Sequence, residues 1–87
     1  MSPQNRIAFV SGFLSLENLV AAIDGLHHEG SEEAAAANAA AYAYSAAVDS
    51  GYEVDDLTVE YHLDYLYSQG CDFDRTEALE YAKANYL

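Results

Sequence analysis

Four of the five glycines divide this chain into short segments, and their spacing constrains the fold more than any other feature. Gly12, Gly30, Gly51 and Gly70 are each followed within a few residues by Ser or Asp. Glycine commonly ends an α-helix because it adopts the left-handed backbone conformation at no steric cost, whereas Ser and Asp are preferred where a helix begins. The alternation therefore predicts short helices joined by tight turns.

Two helices are predicted in the first half of the chain. Apolar residues from Leu16 to Leu26 follow the i, i+3, i+4, i+7 pattern and share one face. Ser31 is expected to cap a second helix through the alanine-rich stretch 34–48, which consists almost entirely of strong helix formers. Because its small residues let another helix approach closely, we interpret it as the central helix of a bundle. A self-association surface is the alternative.

Two further helices are predicted after Gly51, and they have similar starts. Asp55 and Asp74 are the candidate N-caps, and Glu77 predicts a reciprocal capping box with Asp74. Each of these helices has an apolar stripe that is expected to face the core. The stripes are Val59, Leu63, Leu66 and Tyr67 in the third helix and Ala78, Leu79, Ala82 and Tyr86 in the fourth.

The segment 1–14 is ambiguous. Arg6 to Val10 has strand-like content, but a lone strand has no pairing partner in an otherwise helical chain. Pro3 after Ser2 is typical of a helix start, so we expect an extended or helical N-terminal arm. The predicted fold class is all-α, with residues 1–87 forming a single acidic domain, a small bundle of about four short helices.

Fixed positive charge is nearly absent. Between Ile7 and Asp74 there are 13 acidic residues and no Lys or Arg, and the formal net charge of the chain is -12. Such a surface repels nucleic acid and anionic membranes and attracts basic protein surfaces. The expected partner is therefore the basic surface of a nucleic-acid-binding protein or complex, with no direct binding of nucleic acid or membrane. The lone Cys71 permits no intrachain disulfide, so a cytoplasmic setting is expected.

Catalytic and metal-binding signatures are missing from the sequence. It contains no Ser/His/Asp motif, no phosphate-binding glycine loop and no CxxC pair. The run His27-His28-Glu29 has metal-ligand types, but adjacent helical histidines point to different sides and match no zinc spacing. His62, between Glu60 and Asp64, is expected to be partly buried with a raised pKa. No enzymatic activity, cofactor or metal site is predicted.

The candidate binding residues are concentrated in the third helix. Asp56, Glu60 and Asp64 lie at i, i+4 and i+8 and so form one line, flanked by Tyr61 and Tyr65. Like charges at this spacing destabilise a helix by ~0.2–0.5 kcal/mol per pair, and no Lys or Arg is interleaved to compensate. Tyrosine is enriched at protein interfaces. The predicted partner-binding set also includes Asp49, Glu53, Asp55, Glu32 and Glu33.

Nucleic-acid mimicry can be weighed by charge spacing. B-DNA carries one negative charge per ≈1.7 Å of axis, whereas a helix with an acid at every fourth residue carries one per ~6 Å. Mimicry would therefore need acids from several helices, or from a homodimer, on one surface. Glu32, Glu33 and Asp49 could join the third-helix acids if the second and third helices are antiparallel neighbours.

In size, charge and composition, the whole chain resembles the phage-encoded inhibitors of bacterial defence systems, including anti-CRISPR and anti-restriction proteins. The resemblance implies an inhibitor that presents an acidic, tyrosine-bearing face to a basic protein. Inhibition would work either by nucleic-acid mimicry or by blocking a conformational step. The alternative function is a structural or self-assembling helical module whose acidity serves solubility.

Overall fold

A computed structural model describes residues 16–51 and 53–87, which form four α-helices and no strand. Helix α1 spans Leu16–His28, α2 spans Glu32–Asp49, α3 spans Asp56–Ser68 and α4 spans Arg75–Asn85. The prediction of an all-α fold with about four short helices is confirmed. The N-terminal arm expected over residues 1–14 lies outside the described residues.

Helix α2 is the centre of the bundle, because α1, α3 and α4 all pack on it. Seven of its alanines are buried, and their small side chains let the other helices approach the α2 backbone closely. The bulky part of the core comes from the neighbours, chiefly Ile23 of α1 with Leu63 and Leu66 of α3. The interpretation of the alanine-rich segment as the central helix is confirmed. The buried alanines are Ala35, Ala36, Ala39, Ala40, Ala41, Ala43 and Ala47.

The inward faces of α3 and α4 match the predicted stripes except at Tyr67. Its side chain remains 44% exposed, and the Arg75 guanidinium lies 4.4 Å from the centre of its ring. The turn between α3 and α4 instead delivers Phe73 and Cys71 to the core. Phe73 meets the Tyr67 ring edge to face at 6.1 Å, so Tyr67 lies outside the core. Helical periodicity alone could not reveal a core residue supplied by a turn.

Glycine ends the first three helices, as predicted. Gly30, Gly51 and Gly70 all have positive φ, between 79° and 90°. At Gly30 two backbone bonds close the helix: Gly30 N–H donates to the His27 carbonyl and Ser31 N–H donates to the Leu26 carbonyl. This pair is the Schellman arrangement, which satisfies carbonyls that the helix end leaves without partners.

The helix starts differ from prediction in two respects. The reciprocal capping box forms at Asp55, where its carboxylate accepts from Thr58 N–H and Thr58 Oγ1 accepts from Asp55 N–H. At the start of α4 only one half is present among the described residues, a bond from Glu77 N–H to the Asp74 carboxylate. The Ser31 side chain makes no capping bond. Thr58 serves as the box partner because a hydroxyl can accept the N–H of the capping residue as a carboxylate does.

Across residues 16–51 and 53–87, no helix combines the length and apolar character needed to cross a membrane.

These caps give a direct stability test. Asp55→Ala should lower the free energy of unfolding by about 1 kcal/mol, because it removes a side-chain bond to an N–H group at the start of α3. Ser31→Ala is the matched control and should cost less than about 0.5 kcal/mol, because the Ser31 side chain makes no such bond. Urea unfolding followed by circular dichroism measures both values. Equal losses for the two variants would contradict this account of the helix starts.

Candidate functional site

The outward surface of α3 carries two parallel rows of side chains. Asp56, Glu60 and Asp64 form an exposed acidic row. Beside it, Leu57, Tyr61 and Tyr65 form an apolar row whose members are 75%, 68% and 42% exposed. Both rows have i, i+4, i+8 spacing, so each runs along one line of the helix. We call these six residues the α3 outer face.

Leu57 is the member of this face that the sequence interpretation did not select. The sequence signal for Leu57 is its position four residues before Tyr61, which puts the two side chains on the same side of the helix. On a helix whose opposite side buries Val59, Leu63 and Leu66, an apolar residue in register with Tyr61 must lie toward solvent.

Cations from α4 compensate the acidic row, which corrects an expectation drawn from sequence. Arg75 Nη1 lies 2.9 Å from Asp64 Oδ1, and Lys83 Nζ lies 3.7 Å from Asp56 Oδ2. The row has no Lys or Arg interleaved along the chain, yet packing of α4 against α3 places two of them opposite its ends. Because all four groups are about half exposed, each pair contributes at most about 1 kcal/mol. Within the described ranges, Glu60 is the member of the row without an ion pair.

The remaining acids around the start of α3 have different roles. The Asp55 carboxylate is occupied as the N-cap of the helix. Asp49 is the last residue of α2, and Glu53 lies in the connection; both are exposed. Asp49 and Glu53 therefore add exposed negative charge at the end of α2 and in the connection to α3, whereas Asp55 has a structural role at the helix start.

Glu32 and Glu33 are placed away from this group. They occupy the first turn of α2, and the helix rise of 1.5 Å per residue puts Glu33 about 24 Å from Asp49 along the axis. Glu33 instead lines a surface groove of about 380 Å³ together with Glu77 and Tyr81 of α4. The structure thus divides the predicted partner-binding residues into an α3 group and a separate pair at the start of α2.

The tyrosines divide in a similar way. Tyr42 and Tyr44 of α2 are half-buried, and Tyr44 stacks on Tyr86 with ring centres 4.9 Å apart. Burial raises the pKa of Tyr42, and the nearby Tyr65 adds to the increase. These rings therefore belong to the edge of the core, whereas Tyr61 and Tyr65 remain available at the surface. Tyr52 lies outside the described residues.

A groove between α3 and α4 continues the outer face. Its volume is about 370 Å³. Leu79 provides apolar lining, Glu60, Asp64 and Glu80 provide carboxylates, and Arg75, which pairs with Asp64, also lines the groove. The carboxylates of Glu60 and Glu80 suit the charged head of a long basic side chain, whose stem is aliphatic.

A second cluster of polar side chains joins α1 to the turn between α3 and α4. His28 Nε2 lies 3.2 Å from Asp72 Oδ2 and 3.5 Å from Asp24 Oδ1. The backbone N–H of Asp72 donates to the same Asp24 oxygen at 3.2 Å. The sequence signal for this cluster is Asp24, which lies one helical turn before His28.

Cys71 lies beside this cluster but is unsuited to nucleophilic chemistry. Its side chain is buried. Burial, together with the nearby carboxylates of Asp24 and Asp72, raises the pKa of the Cys71 thiol to about 12. The thiol therefore stays protonated at neutral pH, and the Cys71 side chain serves as part of the core.

The expected raised pKa of His62 is wrong. The side chain is partly buried, as predicted, but burial lowers its pKa because desolvation disfavours the imidazolium ion. Its ring contacts the edge of Tyr61, with centres 5.2 Å apart. Glu60 and Asp64 are two residues away on either side and project from other sides of the helix, so they form no ion pair with it.

This shift predicts a contribution of His62 to the pH dependence of stability. Below the ordinary histidine pKa of about 6.5, the unfolded chain binds a proton at His62 that the folded protein resists. His62 therefore favours unfolding as pH falls from about 7.5 to 5.5, and His62→Gln should lose less unfolding free energy over that interval than the unchanged protein. An NMR titration of the His62 ring with a midpoint at or above 6.5 would contradict this prediction.

The pairing of the acidic row predicts opposite effects for two charge reversals. Glu60→Lys should leave the free energy of unfolding unchanged or raise it by a few tenths of a kcal/mol, because it creates opposite charges at i, i+4 with Asp56 and Asp64. Asp64→Lys should lower it by up to about 1 kcal/mol, because it places a cation beside Arg75. Urea unfolding at low salt compares the two variants. Equal changes in the free energy of unfolding for the two variants would mean that the contact between Arg75 and Asp64 does not stabilise the fold.

Comparisons with protein-family models, with curated proteins and with solved structures found no match for this chain. In the part of the chain that the structure describes, the α3 outer face is where exposed apolar side chains and acidic side chains lie in adjacent rows.

Proposed function

We propose that this protein is a small inhibitor that binds a basic protein surface through the α3 outer face. The observation that carries the proposal is the exposed apolar row of Leu57, Tyr61 and Tyr65 on a helix whose opposite side is anchored in the core. Leu57 and Tyr61 are the most exposed large apolar side chains in the described ranges.

The spacing of this row fits a known mode of recognition. Amphipathic helices bind in hydrophobic grooves through anchors at i, i+3, i+4 and i+7, and tyrosine is among the residues that carry most binding energy at interfaces. A helix of 13 residues is about 20 Å long, which is enough for three anchors on successive turns. A stable interface buries roughly 800 Å² per partner, so a partner that covers α3 also contacts its surroundings.

Charge supports a basic partner over a second copy of the chain. The net charge of -12 attracts cationic surfaces and repels an identical molecule. A homodimer formed through α3 would bring the two acidic rows together. Glu60 and Glu80 at the edges of the α3–α4 groove would pair with a Lys or Arg of the partner, with the side-chain stem lying along Leu79. Surfaces that bind nucleic acid are rich in such residues, which makes a nuclease, a transcription factor or a nucleoprotein complex a suitable target.

Charge-assisted docking is better supported than nucleic-acid mimicry. The acidic row places one carboxylate per ~6 Å, and Arg75 and Lys83 offset two of its three charges. B-DNA has one charge per ≈1.7 Å. We therefore propose that inhibition blocks a conformational step or a protein contact of the target. The resemblance to phage inhibitors of defence systems suggests bacterial proteins as the targets to test first.

The proposal is tested by affinity capture from bacterial lysate at low and high salt with mass-spectrometric identification, followed by affinity measurement on the purified partner. Tyr61→Ser should weaken binding by at least about tenfold, and Glu60→Lys should weaken it mainly at low salt. Glu17→Lys, an equal charge change on the exposed surface of α1, is the matched control and should bind nearly as the unchanged protein does.

Two results would contradict the proposal. One is a partner that binds Tyr61→Ser and Glu60→Lys as tightly as it binds the Glu17→Lys control. The other is concentration-dependent self-association, lost in Tyr61→Ser, which would favour the structural module. For mimicry, the decisive observation is competition: displacement of the protein by duplex DNA or RNA would support it, whereas a ternary complex with target and nucleic acid would exclude it.

A further inference from the structure

We propose that Asp24, His28 and Asp72 form a binding site for one divalent transition-metal ion of the zinc type. Asp24 and His28 lie one turn apart on α1, and Asp72 reaches them from the turn between α3 and α4. One ligand atom from each side chain lies within 4.8 Å of the other two. The site does not depend on the proposed role of α3.

The two distances from His28 Nε2 are close to those between ligands of one ion, and the Asp24 and Asp72 oxygens lie within 4.8 Å of each other. Two atoms that each lie about 2.1 Å from a metal are about 3.0 Å apart at an octahedral angle and about 3.4 Å apart at a tetrahedral angle. His28 Nε2 is 3.2 Å from Asp72 Oδ2 and 3.5 Å from Asp24 Oδ1. Small rotations of the carboxylates can therefore direct both oxygens and the imidazole nitrogen to a common point.

The donor set selects the class of ion. An imidazole nitrogen with two carboxylate oxygens suits zinc, cobalt, nickel and iron, whereas magnesium and calcium prefer oxygen ligands alone. Three protein ligands leave coordination positions for water. The three side chains are between 39% and 61% exposed, so an ion can enter from solvent. Two carboxylates in the cluster, on a chain of net charge -12, favour the capture of a cation.

The surroundings hold the ligands in place from two elements. The Asp72 backbone N–H bonds to the Asp24 carboxylate, which ties the turn to α1. The second Asp72 oxygen lies 4.0 Å from His27 Nε2, so Asp72 directs one oxygen toward each histidine. The backbone hydrogen bond to Asp24 is of the kind that commonly orients the ligands of metal sites. As expected from the sequence, the adjacent His27 and His28 point in different directions, and their ring planes lie at 86° to each other. Asp72 nevertheless lies near both rings.

Metal binding would use the Nε2 atom of His28, which lies within 3.5 Å of both carboxylates. With metal, Nε2 donates its lone pair and the imidazole proton resides on Nδ1. The ion would then link α1 to the α3–α4 turn and stabilise the folded chain in proportion to its concentration, since the assembled ligand set exists only in the folded state.

The test uses the full-length chain without an affinity tag. Zn²⁺ titrated by calorimetry should bind at the cluster, and Co²⁺ should give visible absorption bands. Asp24→Asn, His28→Gln and Asp72→Asn should each weaken binding by at least about tenfold. Saturating Zn²⁺ should raise the melting temperature of the unchanged protein and have little effect on these variants. Glu29→Gln and His62→Gln, which remove a nearby carboxylate and a distant imidazole, are the matched controls and should bind normally.

The proposal is overturned if Zn²⁺ does not bind, if all three ligand variants retain binding, or if Glu29→Gln loses as much affinity as they do. Mg²⁺ binding as tight as Zn²⁺ binding would also overturn it, because general charge attraction would then suffice. Circular dichroism establishes that each variant is folded. If a ligand variant does not fold, NMR of the unchanged protein decides: Zn²⁺ must shift the ring signals of His28 and leave those of His62 in place.

Discussion

Burial of the alanine side chains of α2 under three other helices is the packing on which the rest of the structure depends. Alanine contributes little apolar area, so α2 cannot stabilise the bundle through large side chains of its own. Its contribution is a short distance between helices, because alanine methyl groups allow the neighbouring helices to pack near the α2 backbone. Ile23, Leu63 and Leu66 then fill the space around it. One consequence is that the surfaces of α1, α3 and α4 that face away from α2 do not take part in packing on α2.

The charges follow from the same arrangement. Because α3 and α4 lie side by side against α2, the cations of α4 meet the carboxylates of α3 even though up to 27 residues separate them along the chain, as in Asp56 and Lys83. A charge pattern read along one helix therefore overstates the repulsion in the folded protein. The sequence pattern also does not show which carboxylate of the row remains unpaired. In the described ranges it is Glu60, which lies beside the groove between α3 and α4.

Much of the fold was predictable because its signals are local. Glycine at positive φ, aspartate at a helix start and the apolar spacing of α1 each depend on a few adjacent residues. The features that the sequence did not predict depend on how the helices pack or on which of two similar side chains makes a hydrogen bond. Phe73, which comes from a turn, takes a place in the core, and Tyr67 remains exposed. Thr58 provides the second half of a capping box. Asp24 and His28 meet Asp72 only because α1 packs beside the turn that contains Asp72, 44 residues after His28. The tyrosines and acids of α3 were found because helical periodicity is enough to assign them to one side of a helix.

The contact between Lys83 and Asp56 has a practical consequence. Lys83 is the only lysine in the chain, and α4 holds its ammonium group near the first turn of α3, 3.7 Å from the Asp56 carboxylate. Amine-directed reagents therefore have a single side-chain target, and it stands at the border of the surface where a partner is expected. A fluorophore attached there would sense the environment of α3 without any engineered cysteine. The scarcity of cations thus makes one ordinary surface pair the site of the only lysine side chain that such a reagent can modify.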